Sequence, residues 1–325
     1  MTRLVESIER HQIPLYLLAI VAGGLFGWLI PAAAEPLEIS INPVLGLLLF
    51  ATFLGIPFGK IGQALRDFRF MATAMILNFI IVPVVVFGLS RFVAHDQALL
   101  IGVMMVLLTP CIDYVIVFSG LAGGSSDRLL AAAPLLMLTQ MLLLPLYLLL
   151  FIGPEIVSAI EPGPFLEALV VLIIIPLMAA ALTQRWARRA LAARHLMDLM
   201  QNLMVPLMML TLAVVIGSQV VGVGQELRSL LAVIPIYVAF LIIMVPVGMI
   251  AAHVARLDAG STTAVVFSGA TRNSLVVLPL ALALPEPLAL VALVVVTQTL
   301  VELIGMVTYV KAVPRLISCS ITSHA

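Results

Sequence analysis

Charge is what this sequence has least of. Asp, Glu, Lys and Arg make up 10% of its 325 residues, against about 25% in soluble domains. The charges present sum to a formal net of zero, so the basic surplus that marks a nucleic-acid partner is missing. Cysteine is nearly absent too. Cys111 and Cys319 stand far apart, with no disulfide framework and no metal-ligand spacing. No Gly-rich phosphate loop occurs, and no connector is long enough for a soluble domain, which excludes ATP-driven pumping by this chain alone. Strict apolar–polar alternation is lacking, which argues against a closed β-barrel. Nothing calls for a cofactor. An intramembrane enzyme would need paired acids, a Ser–His pair or a metal cluster. Asp113 and Glu302 are the only acids in apolar surroundings, His195 lies in a connector and His253 at a helix end. The chain therefore does not read as an enzyme.

What the sequence has instead is hydrophobic length. Apolar residues reach 63%, with a mean hydropathy of +1.24. Phe70 to Ser90, Leu129 to Pro154, Ala168 to Gln184 and Ser229 to Ala252 carry no Asp, Glu, Lys or Arg, and roughly 20 apolar residues cross a bilayer as a helix. The pattern predicts an all-α membrane protein of ten transmembrane helices, near 13–31, 43–59, 70–90, 98–119, 129–152, 165–184, 203–221, 230–253, 262–284 and 288–310. The first stretch and Ala32-Ala33-Ala34 resemble a signal peptide, but the apolar run exceeds the usual h-region, so an uncleaved first helix is expected. With the N-terminus inside, 13 Lys and Arg residues fall in cytoplasmic segments and two, Arg91 and Arg228, outside. This asymmetry predicts a multi-pass inner-membrane protein with both termini cytoplasmic. The segment from Gln184 to Asn202 carries Arg185, Arg188, Arg189 and Arg194 among apolar residues. It reads as a basic connector lying on the lipid surface.

The chain also repeats itself. Asn42 and Asn202 precede the second and seventh spans; Ile80–Val84 resembles Ile243–Val247; Thr139-Gln140-Met141-Leu142 matches Thr297-Gln298-Thr299-Leu300. Residues 1–325 thus read as one transporter domain, with a first five-helix repeat at 1–153 and an inverted second at 164–325. An odd number of helices per unit turns the second copy upside down, as in many transporters.

Two polar interruptions occupy corresponding places. Thr109-Pro110-Cys111-Ile112-Asp113 breaks the fourth span. Ser268-Gly269-Ala270-Thr271-Arg272-Asn273 lies inside the ninth. Pro110 and Gly269 read as the helix breaks, and paired interruptions point to a midplane binding site. Asp113 and Arg272 are costly in hydrocarbon and read as a facing pair, either a bolt between two helices or a switch thrown by a proton or an anion. Thr109, Cys111, Arg272 and Asn273 are the candidate substrate contacts. Asp113, Glu302, Gln298, Gln140 and Asn78 are candidates for ion coupling; the last four read equally as glue between helices.

These residues resemble the bile acid:sodium symporter superfamily. Pro110-Cys111, Asn78-Phe79-Ile80-Ile81-Val82-Pro83, Val301-Glu302 and the stretch from Phe267 to Asn273 resemble its arsenical-resistance arsenite permeases. The resemblance implies ten helices with crossing, broken helices 4 and 9. It also implies a core of helices 3–5 and 8–10 against a panel of the other four, and use of Cys111 by the substrate. Leu275 stands where those permeases carry a glutamate, and Arg272 replaces an asparagine. An arginine there would repel sodium and stand in for its charge. The implied activity is efflux of arsenite, a related arsenic or antimony species, or an oxyanion, exchanged for protons; the alternative is sodium-coupled uptake of organic anions. Partners are then a small anion, H+ or Na+, and the lipid bilayer.

Overall fold

A computed structural model of the chain describes residues 12–55, 67–112, 114–153, 163, 170–282 and 284–322. Asp113, and with it the expected Asp113–Arg272 pair, lies outside the described residues. Helices account for nearly all of the structure, with no β-strand among the described residues. They are α1 (Gln12–Leu29), α2 (Ala34–Gly55), α3 (Phe68–Ile76), α4 (Val82–Ser90), α5 (Gln97–Leu107), α6 (Tyr114–Leu121), α7 (Ser126–Ile152), α8 (Ile175–Ala187), α9 (Leu191–Asn202), α10 (Met204–Gln225), α11 (Leu227–Leu231), α12 (Ile234–Val254), α13 (Ala259–Ala270), α14 (Ser274–Leu282) and α15 (Leu290–Thr322). Among the described residues, six helical stretches are long and apolar enough to cross a membrane, or seven with α7 counted as one bent span. Side chains such as Ile39, Val84, Leu142, Ile242 and Ile304 are exposed, as a hydrocarbon solvent requires and water does not. The chain is a multi-pass membrane protein. The predicted fourth and ninth spans each appear as two half-helices, α5 with α6 and α13 with α14, each too short to cross alone.

The helices form two compact units. The first holds α1, α2, α8, α9 and α10. Here α10 packs along α1 and α2, and glycine sets the closeness. A Cβ on Gly23 would stand 2.4 Å from the carbonyl oxygen of Ala213, and one on Gly27 would stand 2.0 Å from that of Gly217. Such spacing is the small-xxx-small packing that brings membrane helices into backbone contact. Helix ends are satisfied by side chains: Gln184 Nε2 donates to Leu54 O at 3.1 Å, and Arg194 Nε to Ala187 O at 2.7 Å. Of the basic connector, Arg185 lies in the last turn of α8, Arg188 and Arg189 in the turn that follows, and Arg194 on α9, whose Leu191, Arg194, His195 and Leu199 are exposed.

The second unit holds α3–α7 and α12–α15, the grouping that the resemblance implies for a core. Here α5 and α14 pack on α15, α12 packs on α13 and α15, and α6 on α13. Proline shapes it. Between α3 and α4 a π-helical turn, Leu77–Ile81, leads into Pro83, which has no N–H for the carbonyl four residues back. That carbonyl, on Phe79, accepts the hydroxyl of Tyr147 instead. At one end of the unit Arg128 joins three segments, bonding Asp67 at 3.1 Å and Asp258 at 2.9 Å.

Candidate functional site

The site grows from two helix ends that fail to continue. Pro110 offers no N–H to a helix, and α5 stops at Leu107. The Thr109 hydroxyl turns back to Met105 O at 3.0 Å and Val106 O at 2.9 Å. Four residues beyond Phe267 the Thr271 hydroxyl does the same, donating to Phe267 O at 2.8 Å as α13 ends. Past each stop the chain runs extended, and the two extended pieces cross antiparallel at Pro110 and Arg272. Cys111 N–H donates to Thr271 O at 3.1 Å, and Asn273 N–H to Thr109 O at 2.8 Å. The exchange closes the backbone accounting that an interrupted membrane helix must meet.

Arg272 sits at this crossing with no exposed surface. Its Nη2 donates to Ser268 O at 2.7 Å, Gly269 O at 2.6 Å and Asn78 Oδ1 at 2.9 Å; Nη1 reaches Leu107 O at 3.3 Å. The guanidinium thus caps the carboxyl ends of both α5 and α13, where helix dipoles leave partial negative charge. Phe240 lies beneath it, 5.4 Å from ring centroid to Cζ, in cation–π range. Asn78 is aimed by the π-helical turn, a local insertion frequent at functional sites. Its Nδ2 is spent on Ala74 O and Ser268 Oγ, each at 3.0 Å.

Glu302, on α15, is also buried, and it and Arg272 are the only buried charged side chains among the described residues. Its Oε2 accepts the backbone N–H of Arg272 at 2.8 Å and the amide of Gln298; its Oε1 accepts the Tyr114 hydroxyl at 2.6 Å. The carboxylate meets the main chain of Arg272 rather than its guanidinium. Tyr114 Oη also lies 3.0 Å from Arg272 O. Asn273 Oδ1 caps α14 through Val276 N–H at 3.2 Å, and Thr299 bonds Ser274 at 2.8 Å.

The structure therefore brings Asn78, Thr109, Pro110, Cys111, Gly269, Arg272, Asn273, Gln298 and Glu302 into one buried neighbourhood. Gln140 is buried on α7 with both amide atoms unpartnered; Asn273 Nδ2, Gln298 Oε1 and Arg272 Nε are unpartnered as well. Cys111 is buried, and its thiol is not in a disulfide. Among the described residues no group of His, Cys, Asp and Glu could hold a metal ion. The sequence reading gave no role to Tyr114, Ser268 or Phe240. Tyr114 directly follows the polar stretch Thr109-Pro110-Cys111-Ile112-Asp113 of the fourth span, the one signal that points to it.

A multi-pass fold with two crossed half-helices around a buried charge is the architecture of membrane carriers. The model of the Sodium Bile acid symporter family matches residues 42–228, and the chain belongs to that family. The Arsenical-resistance protein Acr3 of Corynebacterium glutamicum is 29% identical over 135 residues, 38% of this chain and 36% of that protein. The match spans about a third of the curated relative's length. Both findings agree with the resemblance read from Pro110-Cys111 and the ninth span.

Proposed function

We propose that this protein is a secondary transporter that exports arsenite, a related arsenic or antimony species or an oxyanion in exchange for protons, by alternating access. The observation that carries the coupling is the seat of Arg272. Three main-chain carbonyls and an amide oxygen converge there, the hard oxygen set that suits a metal cation. A covalently attached cation already fills it. A dissociable sodium ion then has no place at the crossing, and the coupling ion is a proton carried by Asp113, with Glu302 beside the crossing. Cys111, at the crossing itself, supplies the soft sulfur that a thiophilic substrate selects; Thr109, Arg272 and Asn273 complete the contact set.

The same reading has ten transmembrane helices in two inverted repeats, both termini cytoplasmic, in the inner membrane. Its support is a constant register. Cys111 and Thr109 stand 162 residues before Asn273 and Thr271, with which they exchange hydrogen bonds. Tyr147 bonds the carbonyl of Phe79 and Tyr309 that of Leu241, each residue again shifted by 162. Asp96 caps α5 through Leu99 N–H, and Asp258 caps α13 through Ser261 N–H, at the same shift. Chance similarity among Leu-rich helices does not reproduce hydrogen bonds pair by pair.

Purified protein in liposomes tests the proposal. Arsenite flux should follow an imposed pH gradient and ignore a sodium gradient, and Cys111→Ser should lose most of it. Flux driven by sodium alone, with organic acids competing and arsenite inert, would replace this reading with sodium-coupled uptake of organic anions.

A further inference from the structure

A groove runs along the second unit between α12 and α15. Its volume is about 660 Å³, within the range of small-molecule sites, about 300–1,000 Å³. Val238, Ile242 and Pro246 line it on α12, and Val301, Ile304 and Leu316 on α15. Ile242 and Ile304 are each 67% exposed, so no described residue covers them. Gly305 forms the floor against Leu241, where a Cβ would stand 2.5 Å from Leu241 Cδ1. The hydroxyls on the walls are spent on main chain, Tyr309 on Leu241 O and Thr308 on Ile304 O. What remains is an apolar channel in which a polar solute would lose its hydrogen bonds.

The groove has a depth and a charged end. Its two helices run the same way, since Tyr237 bonds Val294 O at 3.1 Å and Tyr309, further along α15, bonds Leu241 O, further along α12. Carriers of this plan bind at the midplane, and Glu302 meets the crossing through Arg272 N–H, so the groove begins at that level with Val301. At a rise of about 1.5 Å per residue, Lys311 stands about 14 Å and Arg315 about 20 Å further along α15. These distances bracket half a hydrocarbon core, about 15 Å, the depth at which lipid phosphates begin. Lys311 and Arg315 are exposed and lie one helical turn apart, beside the groove-lining Thr308, Ala312 and Leu316. Neither pairs with a carboxylate among the described residues. The first half lacks this combination: shifted by 162, the counterparts of Gly305, Lys311 and Arg315 are Leu143, Leu149 and Gly153.

We propose that the α12–α15 groove binds one anionic phospholipid, with an acyl chain lying from Val301 towards Leu316 and the phosphate between Lys311 and Arg315. The chain answers the apolar walls. A headgroup of net negative charge answers two basic side chains at phosphate depth, whereas a zwitterionic one brings its own cation to them. An apolar helix of a second copy would fill the groove but leave both cations unanswered. In the orientation proposed above the lipid belongs to the inner leaflet. The site does not depend on what the carrier moves, and it shares α15 with Gln298 and Glu302 of the crossing.

The test titrates the full chain, delipidated in a neutral detergent, with dioleoylphosphatidylglycerol, dioleoylphosphatidylcholine and glycerol 3-phosphate. Bound molecules are counted by native mass spectrometry. Phosphatidylglycerol should bind more tightly than phosphatidylcholine, and glycerol 3-phosphate, which has no chain, should not bind. The double variant Lys311→Gln/Arg315→Gln should weaken phosphatidylglycerol about thirtyfold, the product of about fivefold for each basic residue at an anionic surface, and leave phosphatidylcholine unchanged. Lys311→Arg/Arg315→Lys keeps both charges and should bind as the wild type does. Thr308→Trp, at an exposed position on the groove wall, should weaken both lipids. Equal affinity of the wild type for the two lipids, or phosphatidylglycerol binding indifferent to the charge-removing pair, overturns the headgroup assignment. Lipid binding indifferent to Thr308→Trp takes the chain out of the groove and overturns the proposal. So does a dimer that Thr308→Trp converts to monomer with lipid binding intact, which gives the groove to a second copy.

Discussion

At Arg272 a single side chain answers the carbonyls that two ended helices leave open. Two helices end at one point, each presenting carbonyls with no intrahelical partner, and the guanidinium's fork of donors meets them on Leu107, Ser268 and Gly269 together with Asn78. Lysine, with three donors and a compact charge, cannot span that set. Replacing Arg272 by the shorter, neutral asparagine leaves these neutral oxygens without their charged donor, and a hydrogen bond to a charged group is worth about 1.5–3 kcal/mol. Arg272→Asn should therefore melt earlier than the wild type in choline chloride and regain part of the loss in sodium chloride, because a free cation can enter the emptied seat. The wild type should melt at the same temperature in both salts. Identical behaviour of the variant in the two salts would mean that the carbonyls were never a cation seat.

The residue scale is also where sequence reasoning reached furthest and then stopped. Thr109, Pro110, Cys111, Arg272 and Asn273 were legible because proline and charge are conspicuous in an apolar run. The partners of Arg272 were not, because three of the four are main-chain carbonyls, and every residue has one. Glu302 and Gln140 were legible as polar residues, but motif matching set Gln140 against Gln298. The hydrogen-bond register of 162 sets it against Glu302 instead, a difference of one helical turn that only the crossing geometry reveals.

Between helices, the decisive variable in the first unit is backbone distance. Gly27 approaches Gly217 so closely that a methyl group would collide with main chain, whereas Gly24, one residue along from Gly23, has only the Ile216 side chain at 3.5 Å from a built Cβ. Gly27→Ala should destabilise by about 1–3 kcal/mol through overpacking. Gly24→Ala should be neutral or stabilising, since alanine gains about 1 kcal/mol over glycine inside a helix. Thermal unfolding in detergent compares them, and equal effects would show that α1 and α10 do not meet along this face.

The same scale holds the one titration that can be argued from solvent-accessible geometry. Asp258 caps α13 by accepting Ser261 N–H at 2.9 Å and faces Arg128 at 2.9 Å. The backbone bond first, then the Ser261 hydroxyl and the arginine, hold its carboxyl below the usual carboxylate range. A carboxylate with a depressed folded-state pKa stabilises above its unfolded value, about 3.9, and that stabilisation is lost as pH falls through the folded value. The wild type should thus lose melting temperature below about pH 4 more steeply than Asp258→Asn. Because the pair is largely exposed, the difference should shrink in high salt. Parallel pH profiles would remove the clasp from the stability of this end.

For the whole molecule, the coarse plan was legible and the count of crossings was not fixed by helix length. Six or seven helical stretches pass as spans because the breaks at Pro110 and Arg272 cut two others into halves and the apolar part of α1, Pro14–Leu29, is itself short. Parity decides the architecture. With ten spans and the N-terminus inside, the loop at His95 is external and the arginines after α8 are cytoplasmic, and the second five helices run opposite to the first. With nine or eleven spans the thirteen-to-two distribution of Lys and Arg would lose its meaning. In a background with Cys111 and Cys319 replaced by serine, His95→Cys in whole cells should react with an impermeant thiol reagent. Arg188→Cys should react only after the membrane is opened, and both positions are exposed in the fold. Labelling of both from one side would place an even number of crossings between them, where the inverted-repeat plan has three. The expected outcome, opposite sides, requires that α5 through α8 carry the chain across the bilayer an odd number of times: from the external loop inward through the broken α5–α6 span, outward through α7, and inward again through α8. It is this third crossing that makes the two halves of the register face opposite ways, and a same-side result would leave the 162-residue pairing of Thr109, Cys111, Thr271 and Asn273 without an inverted repeat to explain it.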